Sequence, residues 1–332
     1  MKYIVQNSNN PYFNMAFDEY CLENIDCEEP FFFLWQNEPT VVIGANQNAY
    51  KEVDLEYLEK NKIHLVRRFS GGGAVYHDNA NLNFTFIGKF TQDKEVFEQY
   101  IGYIIDALQQ MGLEDVAMTG RNDILMKGMK ISGCAKRIFK DKCMVHGTLL
   151  YDVDTTILKN VLNGPKSKMK LRGTSSVSKQ VANIKDYLPQ LKNVSEFKQE
   201  LENILSENGK DCMVLTPQQI AEVEAIGEEK YASKSWVYGK MAKSNICYES
   251  KLKCGTIEAE MVVNGDTIES VHFNGDFIGD KNVKELEPMF EGLKYNHSNL
   301  IDFFERVEPN RYFDGAMPAD LTNLMLGAEV NL

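Results

Sequence analysis

The feature that most constrains this sequence is the stretch RRFSGGGAVYHD, which runs from Arg67 to Asp78. It follows an apolar segment that predicts a strand over residues 63–66, and apolar residues resume after the glycines. Three adjacent glycines cost backbone entropy and supply no side chains, so a strand–turn–strand element rarely carries them without a reason. Such a turn lets the main chain approach a ligand closely and aim N–H groups at an anion. Arg67 and Arg68 add forked donors suited to phosphate or carboxylate; the alternative is a tight turn beside solvated arginines.

Composition limits where an anion site can lie. The chain has 332 residues and a net charge of −12, so it lacks the basic footprint typical of nucleic-acid binding, and an anion site must be local. The seven cysteines include no C-x-x-C pair, which favours free thiols over a disulfide scaffold or a zinc site. The first residues lack the apolar segment of a signal peptide, and no apolar run approaches the roughly 20 residues of a membrane span. We therefore expect a cytoplasmic protein with neither nucleic-acid nor membrane partners.

Periodicity predicts a mixed α/β chain with two domains, over residues 1–242 and 246–332. Helices are expected over residues 14–24, 53–61 and 96–111, and strands over residues 31–35, 40–43, 123–126, 129–132, 135–139 and 144–149. Leu82, Phe84 and Phe86 alternate with polar residues, which predicts a half-buried strand. Ser195 and Thr216 are expected to cap two later helices.

The remaining segments predict a long loop and a small second domain. Residues 160–183 are rich in Lys, Gly, Ser and Thr and predict a mobile loop, which in compact domains is often functional. Residues 257–263 and 267–273 alternate around Asn264-Gly265, a strong hairpin signal. Apolar helices near residues 283–290 and 300–304 and after Pro318 complete a small α/β domain.

A second unusual group of residues begins at Lys127 and ends at Arg137. Regular strand alternation would place Lys130 and Ser132 on one face and Ile131 on the other. A lysine in such a strand needs a partner, because a buried ammonium is unfavourable unless it is paired. That partner is either a structural carboxylate or the anion of a ligand, and the residues alone do not decide between them.

Taken together, four segments resemble the lipoate–protein ligase A family. They are RRFSGGGAVYHD from Arg67, Arg121-Asn122-Asp123, Lys130-Ile131-Ser132-Gly133, and His146-Gly147-Thr148-Leu149-Leu150. The resemblance covers essentially the whole chain. It implies an α/β (α+β) fold, with a biotin/lipoate-ligase-type mixed-sheet catalytic domain related to the cores of class II aminoacyl-tRNA synthetases, plus a small α/β C-terminal domain.

The resemblance also implies a two-step reaction. The lipoate carboxylate attacks the α-phosphorus of ATP to give lipoyl-adenylate and pyrophosphate, and a lysine amine of a carrier domain then displaces AMP. Both steps build negative charge on oxygens, so they need fixed positive charge and aimed N–H donors more than a nucleophilic side chain. Lys130 would be the catalytic residue in both steps, while Arg68 and nearby N–H groups would hold the phosphates and lipoate.

The other site residues are implied by the same resemblance. Asn122 and Asp123 would position phosphate, Mg²⁺ or the incoming amine, with Asp123 as a possible magnesium ligand, and residues 168–183 would fold over adenine. Those implied to bind substrate or nucleotide are Arg68, Ser70, Gly71, Gly72, Gly73, Ala74, Val75, Tyr76, His77, Asn122, Asp123, Lys130, Ser132, Gly133, Arg137, His146, Gly147 and Thr148. His77 and His146 have a structural alternative, as hydrogen-bonded residues of the fold.

The implied substrates are ATP and lipoate with Mg²⁺, and the implied partners are the lipoyl domains of 2-oxoacid dehydrogenase E2 subunits and the glycine cleavage H protein. The ligase itself is expected to be a monomer. Two other functions stay open: an ATP-independent octanoyl or lipoyl transferase that uses a cysteine thioester, for which Cys134 and Cys143 are the nearby thiols, and a non-catalytic binder of lipoate or lipoyl domains. The sequence departs from the family pattern at Ala45, Ser178 and Gln180, where relatives often carry basic residues.

Overall fold

The computed structural model describes residues 1–90, 95–119, 122–161, 181–207, 209, 211–239 and 244–328. Its contacts divide the chain into two compact units. The first unit comprises Met1–Val42, Tyr50–Arg67 and Val75–Val237, and the second comprises Ile43–Ala49, Arg68–Ala74 and Tyr238–Leu332. The Arg68–Ala74 part of the glycine stretch therefore groups with the C-terminal residues, although it lies early in the sequence. The expected domains, over residues 1–242 and 246–332, stay a prediction.

The chain contains both strands and helices. The strands are β1 (Lys2–Ile4), β2 (Phe31–Trp35), β3 (Thr40–Ile43), β4 (His64–Arg67), β5 (Val75–His77), β6 (Asn81–Lys89), β7 (Val116–Thr119), β8 (Asp123–Met126), β9 (Met129–Phe139), β10 (Lys142–Leu150), β11 (Cys212–Met213), β12 (Ile246–Leu252), β13 (Gly255–Asn264) and β14 (Thr267–Gly275). The α-helices are α1 (Pro11–Asn24), α2 (Ala49–Glu52), α3 (Leu55–Lys60), α4 (Glu95–Gln110), α5 (Thr155–Val161), α6 (Val194–Leu205), α7 (Pro217–Ile226), α8 (Lys234–Tyr238), α9 (His297–Val307) and α10 (Pro318–Leu326). None of the helices in the described part of the chain has the length and apolar character needed to cross a membrane.

A mixed sheet in the order β11-β1-β2-β6-β10-β9-β8-β7 carries most of the first unit. β6 and β10 pair antiparallel along their full lengths, and β2 pairs antiparallel with β6 on the other side. One face of this sheet packs against α4, whose Ile101, Ile104 and Leu108 are fully buried. Burial of each such side chain contributes roughly 1.5–3 kcal/mol. After α4, Gly112 adopts a φ of +106°, a conformation that ends the helix.

The strand containing Leu82, Phe84 and Phe86 is buried on both faces, so the expectation of a half-buried strand was wrong. β6 lies between β2 and β10, and its polar residues Asn81, Asn83 and Thr85 face other protein groups. Thr85 Oγ1, for example, donates to a carboxylate oxygen 2.7 Å away. Buried polar side chains are tolerated when they are hydrogen-bonded, and local periodicity cannot reveal such partners.

The expected strands over residues 129–132 and 135–139 form one continuous strand, β9. The pairing with β8 skips one residue, because Ile124 lies opposite Ser132 and Leu125 lies opposite Lys130. Ile131 is the extra residue of this β-bulge, so regular alternation does not hold between Lys130 and Ser132.

Helix positions differ from the sequence expectations, most clearly at three places. Asn193, and not Ser195, caps α6, because its side chain accepts the Glu196 N–H. The segment expected near residues 283–290 forms two short 3-10 turns. Asn160, which was assigned to the long loop, lies in α5. Residues 162–180 of that loop lie outside the described residues.

The second unit has its own core. β12, β13 and β14 form an antiparallel sheet, and the hairpin predicted at Asn264-Gly265 is confirmed. α9 and α10 pack on this sheet, where Phe290, Phe304 and Leu321 are fully buried. β12 was not predicted, because most of its side chains are exposed and its apolar alternation is weak.

Candidate active site

In the first unit, Lys130 lies beside the carboxylate of Asp123. The Lys130 ammonium is 2.8 Å from Asp123 Oδ1, with side-chain exposures of 33% and 15% for the two residues. β8 and β9 bring the pair together, since Asp123 lies opposite Gly133 in the antiparallel register. The sequence left open whether Lys130 faces a carboxylate or a ligand, and in this structure the partner is a carboxylate. The ammonium is nevertheless partly exposed, so a ligand anion can reach it.

The backbone around Lys130 explains how the side chain is placed. A Cβ atom on Gly133 would lie 3.3 Å from Lys130 Nζ, so the glycine leaves room for the lysine side chain. The Lys130 carbonyl accepts the Ala182 N–H at 3.0 Å, and Val181 pairs parallel with Lys130. The end of the predicted adenine-covering segment is thus bonded to the main chain of Lys130.

Asn122, Ser132 and Thr148 hold the neighbouring backbone. The Asn122 side chain donates to the Cys134 carbonyl at 2.8 Å, and the Cys134 N–H donates to the Asn122 carbonyl at the same distance. Thr148 Oγ1 accepts the Gly133 N–H at 3.3 Å, and this bond connects β10 to β9, the strand that contains Lys130. Ser132 Oγ is fully buried and lies 3.5 Å from Cys134 Sγ. These three residues therefore fix the strand geometry around Lys130.

Cys134 lies beside this cluster but is not a ready nucleophile. Burial raises the pKa of its thiol to about 12, so the thiolate is scarce at neutral pH. Cys143 is also buried, and its thiol lies 3.8 Å from the Met144 carbonyl. A Cβ atom on Gly147 would lie 3.0 Å from Cys134 Sγ, so Gly147 makes room for this sulfur.

His146 belongs to a buried polar chain under the sheet. Its Nδ1 is 2.7 Å from Asp18 Oδ2, and Asp18 Oδ1 accepts the Thr85 hydroxyl at 2.7 Å. The Trp35 indole N–H donates to Thr85 Oγ1 at 3.0 Å, so Trp35 is part of the core. Because a carboxylate only accepts, the Nδ1 of His146 carries a hydrogen. Sequence reasoning missed Asp18, which has no local signal because it lies 128 residues from His146.

The two neighbouring arginines have different partners. Arg67, in the first unit, donates to the Trp236 carbonyl at 2.9 Å and to the Val237 carbonyl at 2.6 Å. The Trp236 indole N–H donates back to the Arg67 carbonyl at 2.8 Å. Arg67 is 6% exposed, and its guanidinium fastens the last residues of the first unit.

Arg68, in the second unit, folds over its own glycine loop. Its Nη2 donates to the Gly71 carbonyl at 2.6 Å and to the Gly73 carbonyl at 2.8 Å, while Nε donates to Ser70 Oγ at 3.1 Å. Burial lowers the pKa of Arg68 to about 10, which still leaves it charged at neutral pH. The guanidinium therefore holds the loop in shape from inside.

The glycines of this loop are required by close backbone contacts. A Cβ atom on Gly71 would lie 2.7 Å from the Phe277 carbonyl oxygen, and one on Gly44 would lie 2.0 Å from the Gly72 carbonyl oxygen. The Gly72 N–H already donates to Phe277 O at 3.3 Å. Among the described residues, the N–H groups of Gly73 and Ala74 have no acceptor. These two groups are the loop donors that a ligand anion can use.

The predicted site residues thus fall into two sets. Those in the first unit are Val75, Tyr76, His77, Asn122, Asp123, Lys130, Ser132, Gly133, Arg137, His146, Gly147 and Thr148. Those in the second unit are Arg68, Ser70, Gly71, Gly72, Gly73 and Ala74. Val75, Tyr76 and His77 form β5 and pair with β3. Arg137 lies near the end of β9, opposite Met144.

Asp123 fits an ion pair better than a protein-held magnesium ion. Mg²⁺ prefers octahedral oxygen coordination, whereas Asp123 Oδ1 already accepts from Lys130 and the Asn122 amide faces the Cys134 backbone. Within the described ranges, the one grouping of three metal-ligating side chains is Cys247, Glu258 and Glu260 in the second unit.

Comparison with known proteins matches both parts of the chain to families. Residues 10–206 match the lipoyl protein ligase A/B catalytic domain, and residues 242–325 match the bacterial lipoate protein ligase C-terminus. The lipoate-protein ligase LplJ of Bacillus subtilis is 35% identical over 325 residues, which cover 96% of this chain and 98% of the relative.

Solved structures agree in fold. The crystal structure of P. falciparum LipL1 in complex with lipoate has a TM-score of 0.74 at 23% identity and covers 92% of this chain and 94% of its own. A lipoate-protein ligase A bound with ATP has a TM-score of 0.61 at 25% identity, covering 72% and 99%. The bi-partite lipoate protein ligase of Thermoplasma acidophilum, studied with its E2 lipoyl domain, has a TM-score of 0.63 at 26% identity, covering 74% and 98%. The sequence motifs, the mixed-sheet fold and these matches agree, and the chain belongs to the lipoate–protein ligase family.

Proposed function

We propose that this protein is an ATP-dependent lipoate–protein ligase. It activates lipoate to lipoyl-adenylate with release of pyrophosphate and then transfers the lipoyl group to a lysine of a carrier domain. The observation that carries the proposal is the Lys130–Asp123 pair beside Gly133, because it supplies a partly exposed lysine side chain on a paired strand. The matches to lipoate-protein ligases over nearly the whole chain support the same reaction.

Lys130 stabilises the charge that develops in both steps. Without substrate, Asp123 compensates its ammonium. When the lipoate carboxylate attacks the α-phosphorus, negative charge grows on the phosphate oxygens, and a compact ammonium can bridge the oxygens of both groups. In the second step the same ammonium stabilises the oxyanion formed as the carrier amine attacks the mixed anhydride.

The glycine loop supplies donors for phosphate and carboxylate oxygens. Arg68 shapes this loop through its bonds to Gly71 and Gly73, and the Gly73 and Ala74 N–H groups bind the anionic ligand. This role differs from direct capture by the arginine, which the family resemblance implies.

ATP enters as its magnesium complex, and Mg²⁺ neutralises phosphate charge as part of that substrate. The carriers are lipoyl domains of 2-oxoacid dehydrogenase E2 subunits and the glycine cleavage H protein, and the ligase acts as a cytoplasmic monomer. The Thermoplasma acidophilum ligase studied with its E2 lipoyl domain supports a carrier of this kind.

Pyrophosphate release separates the proposal from its alternatives. With lipoate and MgATP alone, a ligase releases pyrophosphate, whereas a cysteine-dependent transferase and a non-catalytic binder do not. Addition of an E2 lipoyl domain should then increase the mass of the carrier by one lipoyl group. The buried Cys134, whose thiol pKa burial raises to about 12, argues against the transferase. Carrier modification without ATP would overturn the proposed function.

A further inference from the structure

A row of buried amide side chains ends on the ring of His77, within the first unit. Asn37 Nδ2 lies 3.1 Å from His77 Nδ1, and Asn83 Nδ2 lies 3.5 Å from the same nitrogen. Asn37, Asn83 and His77 are 0%, 1% and 3% exposed. Because an amide NH₂ group only donates, both neighbours require His77 Nδ1 to accept.

Backbone groups, which cannot exchange donor for acceptor, set the orientation of the Asn37 amide. The Ser8 N–H donates to Gln6 Oε1 at 2.5 Å, which leaves Gln6 Nε2 to donate to Asn14 Oδ1. Asn14 Nδ2 faces three acceptors: the Ser8 carbonyl at 3.1 Å, the Gln36 carbonyl at 2.7 Å and Asn37 Oδ1 at 2.8 Å. The two backbone carbonyls fix the NH₂ group of Asn14 on this side, so Asn37 turns its oxygen and not its own NH₂ group towards it. With its oxygen facing Asn14, Asn37 must present its NH₂ group to His77.

A second arm has the same polarity in this structure. Asn81 Nδ2 donates to Asn83 Oδ1 at 2.8 Å, so the Asn83 NH₂ group is the part that faces His77. His146 has the opposite arrangement, because its Nδ1 faces the Asp18 carboxylate at 2.7 Å. The two buried histidines of the predicted site therefore carry their hydrogens on different nitrogens, Nε2 in His77 and Nδ1 in His146.

We propose that Asn37 and Asn83 are positioning residues that hold His77 as a neutral donor, with its hydrogen on Nε2. A proton on Nδ1 would point at two amide NH₂ groups, so the ring stays neutral. His77 directly follows the glycine stretch on β5, and its Nε2 is buried in this structure. A substrate that binds against this nitrogen receives its hydrogen bond on a carboxylate or acyl-phosphate oxygen. This last step rests on the proposed function, whose lipoate and lipoyl-adenylate supply such acceptor oxygens.

The tautomer can be measured on the intact wild-type protein. The chain has five histidines, so a long-range ¹H–¹⁵N correlation spectrum of ¹⁵N-histidine-labelled protein contains few signals, and His77→Gln identifies the signal of His77. We expect a protonated Nε2 and a bare Nδ1 in His77, with His146 as an internal reference that carries its hydrogen on Nδ1. A hydrogen on Nδ1 of His77 at neutral pH would overturn the assignment without any need for a folded variant.

Asn37→Asp tests the positioning role, because it keeps the side-chain shape but replaces the donor by an acceptor. The His77 hydrogen should move to Nδ1, and kcat for pyrophosphate release should fall roughly 10–100-fold, by analogy with partners that orient metal-binding histidines. Asn203→Asp adds the same charge on α6. Among the described residues, the Asn203 side chain bonds only to nearby Gln199, so this control should leave the His77 tautomer and kcat unchanged. If Asn37→Asp does not fold, Asn83→Asp provides the same test. An unchanged tautomer or an unchanged kcat in the folded variant contradicts the proposal.

Two outcomes separate this inference from the proposed function. If wild-type protein releases no pyrophosphate from lipoate and MgATP, the proposed ligase function is wrong. The hydrogen bond from His77 to lipoate or lipoyl-adenylate is then wrong as well, whereas the tautomer of His77 is still tested by the spectrum. If pyrophosphate is released, kcat for its release should be lower in His77→Ala than in the wild type. His77→Gln, whose amide can donate in place of Nε2, should have a higher kcat than His77→Ala. Wild-type kinetics in His77→Ala would show that His77 gives no hydrogen bond to the substrate.

Discussion

Lys130 and Arg68, the two cations that define the family pattern, are held in opposite ways. Lys130 is 33% exposed and faces the Asp123 carboxylate. Arg68 is 6% exposed and donates to the Gly71 and Gly73 carbonyls of its own loop. A partly exposed ammonium can change partners when a substrate anion arrives, whereas a guanidinium buried among carbonyls cannot do so without releasing the loop.

The difference indicates that Lys130 acts on the substrate, whereas Arg68 maintains the conformation of the glycine loop. Both residues look alike in the sequence, where each is a positive charge within three residues of a glycine. In the structure, Gly133 leaves space for the Lys130 side chain, whereas Gly71 and Gly73 supply the carbonyls that accept from Arg68. We therefore expect loss of Lys130 to act on the chemical steps, and loss of Arg68 to act on the loop, ligand affinity and stability.

The largest effect is expected for Lys130→Ala. It should abolish adenylate formation and slow transfer from supplied lipoyl-adenylate by roughly 10²–10³-fold, as when one oxyanion donor is removed. Lys130→Arg should not restore the rate, because a planar fork cannot replace a compact charge that bridges two oxygens. Single-turnover assays of both half-reactions measure this, with Lys127→Ala, an exposed lysine in the preceding turn, as the matched control. Wild-type rates in folded Lys130→Ala would remove its catalytic role.

Arg68→Ala is expected to affect both stability and binding. Loss of even one charge-assisted hydrogen bond lowers the free energy of unfolding by about 1.5–3 kcal/mol, so the melting temperature should fall. The affinities for ATP and lipoate should fall with it, because the loop donors lose their position. Thermal melts and ligand titrations test this against Arg306→Ala, an exposed arginine of α9 in the same unit. Weakened binding with unchanged stability would instead favour direct contact between Arg68 and the ligand.

Asp123→Asn tests whether Asp123 only forms an ion pair with Lys130 or also binds Mg²⁺. An ion pair of this exposure is worth about 0–1 kcal/mol, so we expect a change of no more than about fivefold in adenylate formation. The measurement is the pyrophosphate rate at several magnesium concentrations. A loss as deep as that of Lys130→Ala, reversed by added Mg²⁺, would show that Asp123 holds the metal after all.

The smallest effects are expected for the cysteines. Cys134→Ser and Cys143→Ser should each keep most ligase activity, because the proposed chemistry uses no thiolate and burial raises the pKa of Cys134 to about 12. Intact-mass analysis during turnover checks for an acyl-thioester. Its appearance on either residue, together with inactivity of that variant, would favour the transferase.

Features specified by nearby residues could be predicted from the sequence. The strands Phe31–Trp35 and Thr40–Ile43 and the capping box at Thr216 were predicted with correct bounds. The family and the α/β fold, confirmed by the matches, followed from motifs whose residues are close together. In each case the physical signal is local.

Features that depend on distant partners could not be predicted. Nothing near Arg67 indicates that its guanidinium bonds to Val237, 170 residues away. The buried face of β6 was missed for the same reason, since Thr85 is satisfied by Asp18, 67 residues away. The bulge at Ile131 depends on the register between β8 and β9, which the pattern of one strand does not contain.

The most direct test of the central claim is detection of the intermediate. Purified protein is mixed with lipoate and MgATP without a carrier, and the bound products are analysed by mass spectrometry in a single turnover. The account predicts lipoyl-adenylate in amounts equal to the pyrophosphate released, and its conversion to AMP when a lipoyl domain is added. Absence of lipoyl-adenylate, with lipoyl transfer continuing without ATP, would contradict the account.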